Sequence, residues 1–337
     1  MKGRHMRREL LETPAMLRRE AEGWEAQARS IRELSGHRPS VVLIGRGSSG
    51  NACTFGAYLL TLRTGRHPIA FHPWLTTQEL PAADWSDAVV YAFSASGQST
   101  DIAESLRWLR SRGALAVAVT GAPGDDVRLV EHADAVFRLK CGVEQAVPAT
   151  KSFAAQLFAA AALAGYPLVQ AAEETAQAMD AILEGEAGST LATFLEGGRT
   201  VAWVARGPSC AGALDAALKT QESLGMAAFG YSTAECLHGP IGMFHSTDRV
   251  ILFSGGEDPN ATRQALVTTL RSRGVPFLIV GAEAPREAGL RIPVPGGPWA
   301  RTAVFAFLSQ MACVEVAGRL GLDPDAPASL QKVTRTL

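Results

Sequence analysis

The sequence predicts an α/β protein made of two tandem, doubly wound parallel sheets, flavodoxin-like, each in a three-layer αβα arrangement. Three observations carry this. Short runs that are apolar throughout alternate with longer helical patterns, and strands apolar on both faces belong to parallel sheets covered on both sides. The alternation stops and then restarts in the second half of the chain. The two halves also open alike. Val41-Val42-Leu43-Ile44-Gly45-Arg46-Gly47-Ser48-Ser49 parallels Val201-Ala202-Trp203-Val204-Ala205-Arg206-Gly207-Pro208-Ser209. Each reads as strand, Arg-Gly turn and helix, an internal duplication at domain scale.

In order along the chain, a helix is expected from about Pro14 to Leu34. Strands follow at Val41–Ile44, Ala88–Phe93, Leu115–Val119 and Ala135–Leu139. Between them Asp101–Arg112 places Ile102, Leu106 and Leu109 on one helical face. An Ala- and Glu-rich helical stretch, Pro148–Leu195, links the halves. The second set of strands is Val201–Ala205, Val250–Phe253 and Phe277–Val280, with helices around Cys210–Leu224, Asn260–Arg273 and Thr302–Leu320. The expected division is an N-terminal helical segment (1–35), a first domain (36–165), a helical linker (166–195), a second domain (196–322) and a tail (323–337).

The 337 residues favour two domains of ordinary size, and 47% hydrophobic with 19% charged residues fit globular domains with ample core. With 32 basic and 33 acidic residues the formal net charge is -1, which argues against nucleic acid or an anionic membrane surface as the main partner. The five cysteines are scattered without a CxxC pair, so no disulfide framework or zinc site is expected, and a reduced, cytoplasmic compartment is. The basic start, Met1 to Glu9, has no apolar run behind it and reads as neither signal peptide nor anchor. No apolar stretch reads as a transmembrane helix; the Ala-rich run Phe158–Gly165 reads as a buried helix.

Six motifs carry candidate chemistry. Gly45-Arg46-Gly47-Ser48-Ser49-Gly50-Asn51 is a Gly-rich turn into a helix. It suits either anion binding by backbone N–H groups or a plain capped βα turn. It is neither a full GxGxxG nor a P-loop, so nucleotide binding is not supported. Ser94-Ala95-Ser96-Gly97-Gln98-Ser99-Thr100-Asp101 sets four hydroxyls at the carboxyl end of a parallel strand, where open α/β sheets bind ligands. Capping needs one hydroxyl, so the surplus favours a phosphate monoester held by neutral donors. Gly142–Ser152 reads alone as a loop with a cap. Lys219 and Glu222 share a helix face, and in isolation read as a surface ion pair. Glu235-Cys236-Leu237-His238-Gly239-Pro240 fixes the direction of a histidine that alone reads as structural. The tail ends in Lys332-Val333-Thr334, and a C-terminal lysine is ordinarily solvated.

Together these residues resemble the sugar-isomerase (SIS) domain family, above all the isomerase half of glucosamine-6-phosphate synthase and the SIS-type glucosamine-6-phosphate deaminases. The likeness runs nearly end to end. It takes in Met6, Glu9 and Pro14, then Gly45–Ser49, Ser94–Gly97, Val147–Lys151, Ala217–Lys219 with Glu222, and Glu235 with His238–Pro240. It ends with Asp323, Asp325, Pro327, Leu330 and Lys332. The resemblance implies that Ser94, Ser96 and Ser99 bind the phosphate, while Ser48, Val147 and Ala149 line the sugar. It implies that Glu222 shuttles a proton between C1 and C2 and that Lys219 sits beside it. His238 assists ring opening from a neighbouring subunit, and Lys332, in a tail folded over the active site, forms an imine with the open-chain ketose. A base to move the α-proton and an imine as electron sink are what aldose–ketose chemistry needs. The chain departs from the pattern at Ala95, Pro148, Gln221, Ala227 and Phe229.

The function so implied is aldose–ketose chemistry on an amino-sugar 6-phosphate, foremost glucosamine 6-phosphate plus water giving fructose 6-phosphate and ammonia. No glutaminase domain with a nucleophilic cysteine is recognised in the sequence. A deglycase or an isomerase of another sugar 6-phosphate are the alternatives, as is a non-catalytic sugar-phosphate sensor, which would need the serines but not Glu222, His238 and Lys332. The expected partners are a sugar phosphate and a second copy of the chain sharing the active site. No cofactor, metal, nucleic acid or membrane is expected.

Overall fold

A computed structural model describes residues 2–78, 83–255 and 260–332. The chain divides into two compact units whose segments interleave. One comprises Met16–Glu144, Lys151–Gln170 and Gln331–Leu337, the other Met1–Ala15, Gln145–Thr150 and Ala171–Leu330.

The first unit carries a five-stranded sheet: β1 (Ser40–Ile44), β2 (Ile69–Ala70), β3 (Ala88–Phe93), β4 (Leu115–Thr120) and β5 (Ala135–Arg138), in the order β2-β1-β3-β4-β5. Every pairing is parallel, with β1 and β3 matched Ser40 to Ala88 and Ile44 to Ala92. The strands are apolar on both faces because helices cover both. On one side α3 (Thr100–Ser111) sets Ile102, Leu106 and Leu109 against Val42, Val90 and Ala116. On the other, α2 (Gly47–Thr64) packs with α5 (Lys151–Leu163), which is buried over its whole length.

The second unit repeats the plan. Its strands β6 (Thr200–Ala205), β7 (Ala227–Ser232), β8 (Arg249–Phe253), β9 (Phe277–Gly281) and β10 (Gly289–Arg291) lie in the order β10-β9-β8-β6-β7, again all parallel. Counted from its own first strand, each sheet runs 2-1-3-4-5, the flavodoxin-like order. Helices α8 (Cys210–Leu224) and α11 (Arg301–Arg319) pack together beneath β6 and β7. Trp203, Phe253 and Phe305 form an aromatic column there, with centroids 5.4 and 4.7 Å apart. The chain also contains α1 (Arg4–Ser35), α4 (Arg128–Glu131), α6 (Val169–Glu184), α7 (Ala187–Glu196), α9 (Thr233–Leu237) and α10 (Asn260–Ser272).

Several sequence expectations need correction. Helix α1 begins at Arg4, ten residues before Pro14, which lies inside it. Proline favours a first turn, but here the exposed first-turn amides are satisfied from far along the chain. Asp325 accepts from the His5 and Met6 N–H groups at 2.8 Å each, and Asp323 from Gly3 at 3.0 Å. Carboxylates at a helix N-terminus satisfy orphan donors and complement the dipole. The stretch Pro148–Leu195 is three helices, interrupted at Gly165-Tyr166-Pro167 and at Gly185. Strands β2, β7 and β10 escaped the sequence reading because they are short or only partly buried. Pro298–Arg319 is long and apolar enough to cross a membrane by length and composition, with mean hydropathy 1.2, contrary to expectation. Since 83% of its apolar window is buried within the protein, it is a core helix. Of the expected tail, 333–337 lie outside the described residues.

Gly230 of β7 shows how tightly α8 is seated: a Cβ there would come within 2.7 Å of Leu214 Cα and 2.9 Å of the Ala213 carbonyl. Gly230→Ala must push α8 off the sheet and should cost about 1–3 kcal/mol in urea denaturation. An unchanged midpoint would mean that the two elements are not locked together.

Candidate active site

In the first sheet the chain turns to opposite sides after β1 and β3, so the carboxyl ends of these neighbours form the topological switch point. Both hydroxyl-bearing turns open there. Ser48 sits buried in the first turn of α2. Ser94 directly follows β3, and its Oγ lies 3.2 Å from Ser99 Oγ at the start of α3. Ser96 Oγ accepts from the Gln98 N–H at 3.2 Å. Ser94 and Ser99 thus order each other, and Ser96 is held by the backbone. Arg46 pairs with Asp101 at 2.9 Å, which ties the two turns together.

Beside the serine loop lies a cavity of about 730 Å³, lined among others by Ser96, Gln98, Arg138, Lys140, Glu144 and Lys332. Arg138 is committed to its own surroundings: it donates to the Ala122 and Gly124 carbonyls at 2.8 Å and pairs with Asp125. Lys140 holds a left-handed backbone at φ 48°, a conformation unusual outside glycine. The sequence reading provided only neutral donors for an anion; the cavity adds cations. Cys141 also lines it, but burial pushes its thiol up to about 12, so it is no thiolate nucleophile near neutral pH.

Lys332 belongs to this unit. Its Nζ lies 2.7 Å from Glu144 Oε2, and the Glu144 side chain is only 5% exposed. Ser152 adds its N–H at 3.0 Å and its hydroxyl at 2.6 Å to the same carboxylate. Burial pushes the Glu144 carboxyl up, but the Lys332 charge and the hydrogen bonds from Lys332 and Ser152 outweigh it, and the net shift is downward. Glu144 lay within a quoted motif, yet nothing in the local pattern singled it out.

The other unit gathers Lys219, Glu222, Val147, Ala149 and His238. Lys219 and Asp215, on one face of α8, are both fully buried. The Lys219 ammonium lies 2.7 Å from Glu222 Oε2 and 3.8 Å from Asp215 Oδ1. Glu222 keeps 21% of its side chain exposed, so its carboxylate can reach a ligand while the lysine cannot leave. The surface ion pair that the motif alone suggests is instead anchored in the core. Gln310 of α11 donates to Asp215 at 3.4 Å and to the Ala149 carbonyl at 3.5 Å. The loop holding Val147 and Ala149 is fixed at its start by the fully buried Glu9, which accepts from the N–H groups of Gln145 at 2.5 Å and Ala146 at 3.3 Å. Asp215 and Gln310 were not legible in the sequence as site residues.

His238 follows α9, whose N-terminus is capped by Ser232 accepting from the Glu235 N–H at 3.1 Å. Gly239 turns the chain at φ 140°, a conformation that leaves His238 exposed at the surface. No group of three or more metal-ligating side chains occurs among the described residues.

Residues 33–165 match the SIS domain model. The chain contains a SIS domain. The match covers the first sheet and the serine loop. Over 96% of its length the SIS-domain chain is 29% identical to the glutamine–fructose-6-phosphate aminotransferase (isomerizing) of Aeropyrum pernix, of which the alignment covers 53%. The chain spans about half the length of the curated relatives it matches. Among solved structures, tagatose-6-phosphate ketose/aldose isomerase from Escherichia coli superposes with a TM-score of 0.81 at 18% identity, covering 97% of this chain and 96% of that one. Glucosamine-6-phosphate deaminase from Thermotoga maritima superposes at 0.77 and 19%, covering 97% and 100%. At such identities the likeness establishes the fold alone.

Because Glu144 titrates below its ordinary value of 4.5, its pairing stabilises the fold above that value, and the contribution is lost as pH falls through the folded value. Lys332→Met should therefore lower the urea midpoint near neutral pH, and the deficit should shrink as pH falls below the ordinary carboxylate range and Glu144 takes up its proton. A deficit independent of pH would mean that the lysine contributes packing only.

Proposed function

We propose that the chain is a phosphosugar enzyme that moves a proton between C1 and C2 of an amino-sugar 6-phosphate, converting glucosamine 6-phosphate and water to fructose 6-phosphate and ammonia. The observation that carries the reading is the Lys219–Glu222 pair: a carboxylate partly open to solvent, held at 2.7 Å by an ammonium with no exposure of its own. A binding module needs no such arrangement. A proton shuttle does, since its carboxylate must be held in a fixed place beside the carbon acid.

The remaining roles follow from chemistry. Ser94, Ser96 and Ser99 hold the phosphate, which acts as a remote handle that positions the reacting end. Ser48, Val147 and Ala149 line the sugar. Lys332 attacks the open-chain ketose carbonyl as a neutral amine, forming the imine and releasing water. His238, exposed on its turn, serves ring opening in the neighbouring subunit of a homodimer.

A plain aldose–ketose isomerase of another sugar 6-phosphate is the second reading, because the Lys219–Glu222 pair that would move a proton between C1 and C2 serves that reaction equally. Incubation with glucosamine 6-phosphate, other hexosamine 6-phosphates and ketose 6-phosphates, following ammonia and fructose 6-phosphate, separates the two: ammonia release supports deamination, and ketose interconversion without ammonia supports the isomerase.

Glu222→Gln should reduce turnover by at least about 100-fold, the scale of general acid–base catalysis, while sugar-phosphate binding by calorimetry persists. Near-normal turnover would remove Glu222 from the role of base. Borohydride with fructose 6-phosphate should trap a covalent adduct on Lys332 in wild type and none in Lys332→Met; an adduct of equal yield in the variant would exclude Lys332 as the imine-forming group.

A further inference from the structure

The buried charges of α8 outnumber what a proton shuttle and its neighbour require. Asp215 stands one helical turn before Lys219, is itself fully buried, and places Oδ1 3.8 Å from the Lys219 ammonium that Glu222 holds at 2.7 Å. Burying a second carboxylate is costly unless it is paired and hydrogen-bonded. The structure supplies both: Lys219 on one side, and the Gln310 amide at 3.4 Å on the other. From α11 the Cys313 thiol also faces Asp215, Lys219 and Glu222, and burial pushes it up to about 12, so it stays neutral.

We propose that Asp215 is a positioning residue that keeps the Lys219 ammonium paired during the interval in which Glu222 carries the substrate's proton. The inference rests on the reading of Glu222 as the base. In that step the C–H bond breaks, its proton passes to a Glu222 carboxylate oxygen, and the electron pair stays on the substrate. The trio Asp215, Lys219 and Glu222 then goes from one net negative charge to neutral. Without Asp215 the remaining pair would go from neutral to one net positive charge, centred on a fully enclosed ammonium. Asp215 thus makes the protonated state of Glu222 accessible without leaving the lysine without its carboxylate. Gln310 extends this control to the loop above: the same amide nitrogen reaches the Ala149 carbonyl at 3.5 Å, linking the carboxylate that steadies Lys219 to the loop assigned to the sugar.

The test is a stability cycle with an activity arm. Asp215→Asn, Glu222→Gln, the double variant, and the triple variant that adds Lys219→Met are unfolded in urea. Either carboxylate alone should suffice to pair the ammonium. The double variant should therefore lose more in midpoint than the two single shifts combined, and Lys219→Met should recover most of that loss. Additive shifts, or no recovery in the triple variant, would overturn the sharing of Lys219. Should Asp215→Asn fail to fold, the charge-neutral triple variant still reads the outcome: its folding supports the proposal, and its failure overturns it. In the activity arm Asp215→Asn should lower kcat about tenfold or more, with KM within about twofold, and Asp215→Glu should recover part of it. An unchanged kcat in Asp215→Asn would overturn the proposal even if the carboxylates share the lysine. A wild-type protein that turns over no sugar phosphate would overturn the reading of Glu222, while the stability cycle still decides whether Asp215 and Glu222 share one ammonium.

Discussion

An ammonium with no access to water constrains everything around α8. Lys219 can be charged there only while carboxylates stay close, and Asp215 and Glu222 supply them from the same helix face at spacings of four and three residues. Holding that geometry requires the helix to be seated without play. Its small residues, Ala211, Gly212, Ala213, Ala216 and Ala217, are buried, which allows close approach of α11 and the sheet. Trp203 anchors the helix from β6, its indole N–H donating to Thr220 Oγ1 at 3.0 Å. The helix is therefore rigid for an electrostatic reason as much as for a packing one.

The first sheet solves a different problem. Its switch-point turns carry hydroxyls, and the cavity beside the serine loop is also lined by Lys140 and Lys332. Neutral donors close to a site give an anion directional hydrogen bonds, while more distant cations raise the local potential. The Glu144–Lys332 pair completes the arrangement. A nearly enclosed carboxylate fixes the place of Lys332, a residue that composition alone would leave in a frayed terminus.

The two sheets share a strand order and differ in what they carry. The first presents hydroxyls and the cavity; the second presents the helix of the buried Lys219 and its carboxylates, and the exposed histidine. The two solved structures named above share this fold and differ in their named activities. Chemistry in such a scaffold is decided by side chains at a few turns and one helix, because the sheet order only fixes where those turns open.

Much of this was legible in the sequence. Runs apolar on both faces forecast parallel strands, and the helix expected over Cys210–Leu224 has those limits in the structure, because propensity, burial pattern and the following Gly225 all agree there. The serine loop, the Lys219–Glu222 spacing and the family likeness also stood in the residues themselves. Strands β2, β7 and β10 did not, since short edge strands carry little periodicity. Nor did the start of α1, which Asp323 and Asp325 set from about 320 residues away, or the place of Glu144 beside Lys332, 188 positions apart. Asp215 read as an ordinary polar residue on a helix, and only burial against α11 and Gln310 makes it a charge that must be paired. Local pattern determines which elements form, because hydrogen bonding and amphipathicity are local. Which distant carboxylate meets which amide or ammonium is decided by tertiary packing, because a buried charge is stable only where a partner from another part of the chain is brought to it.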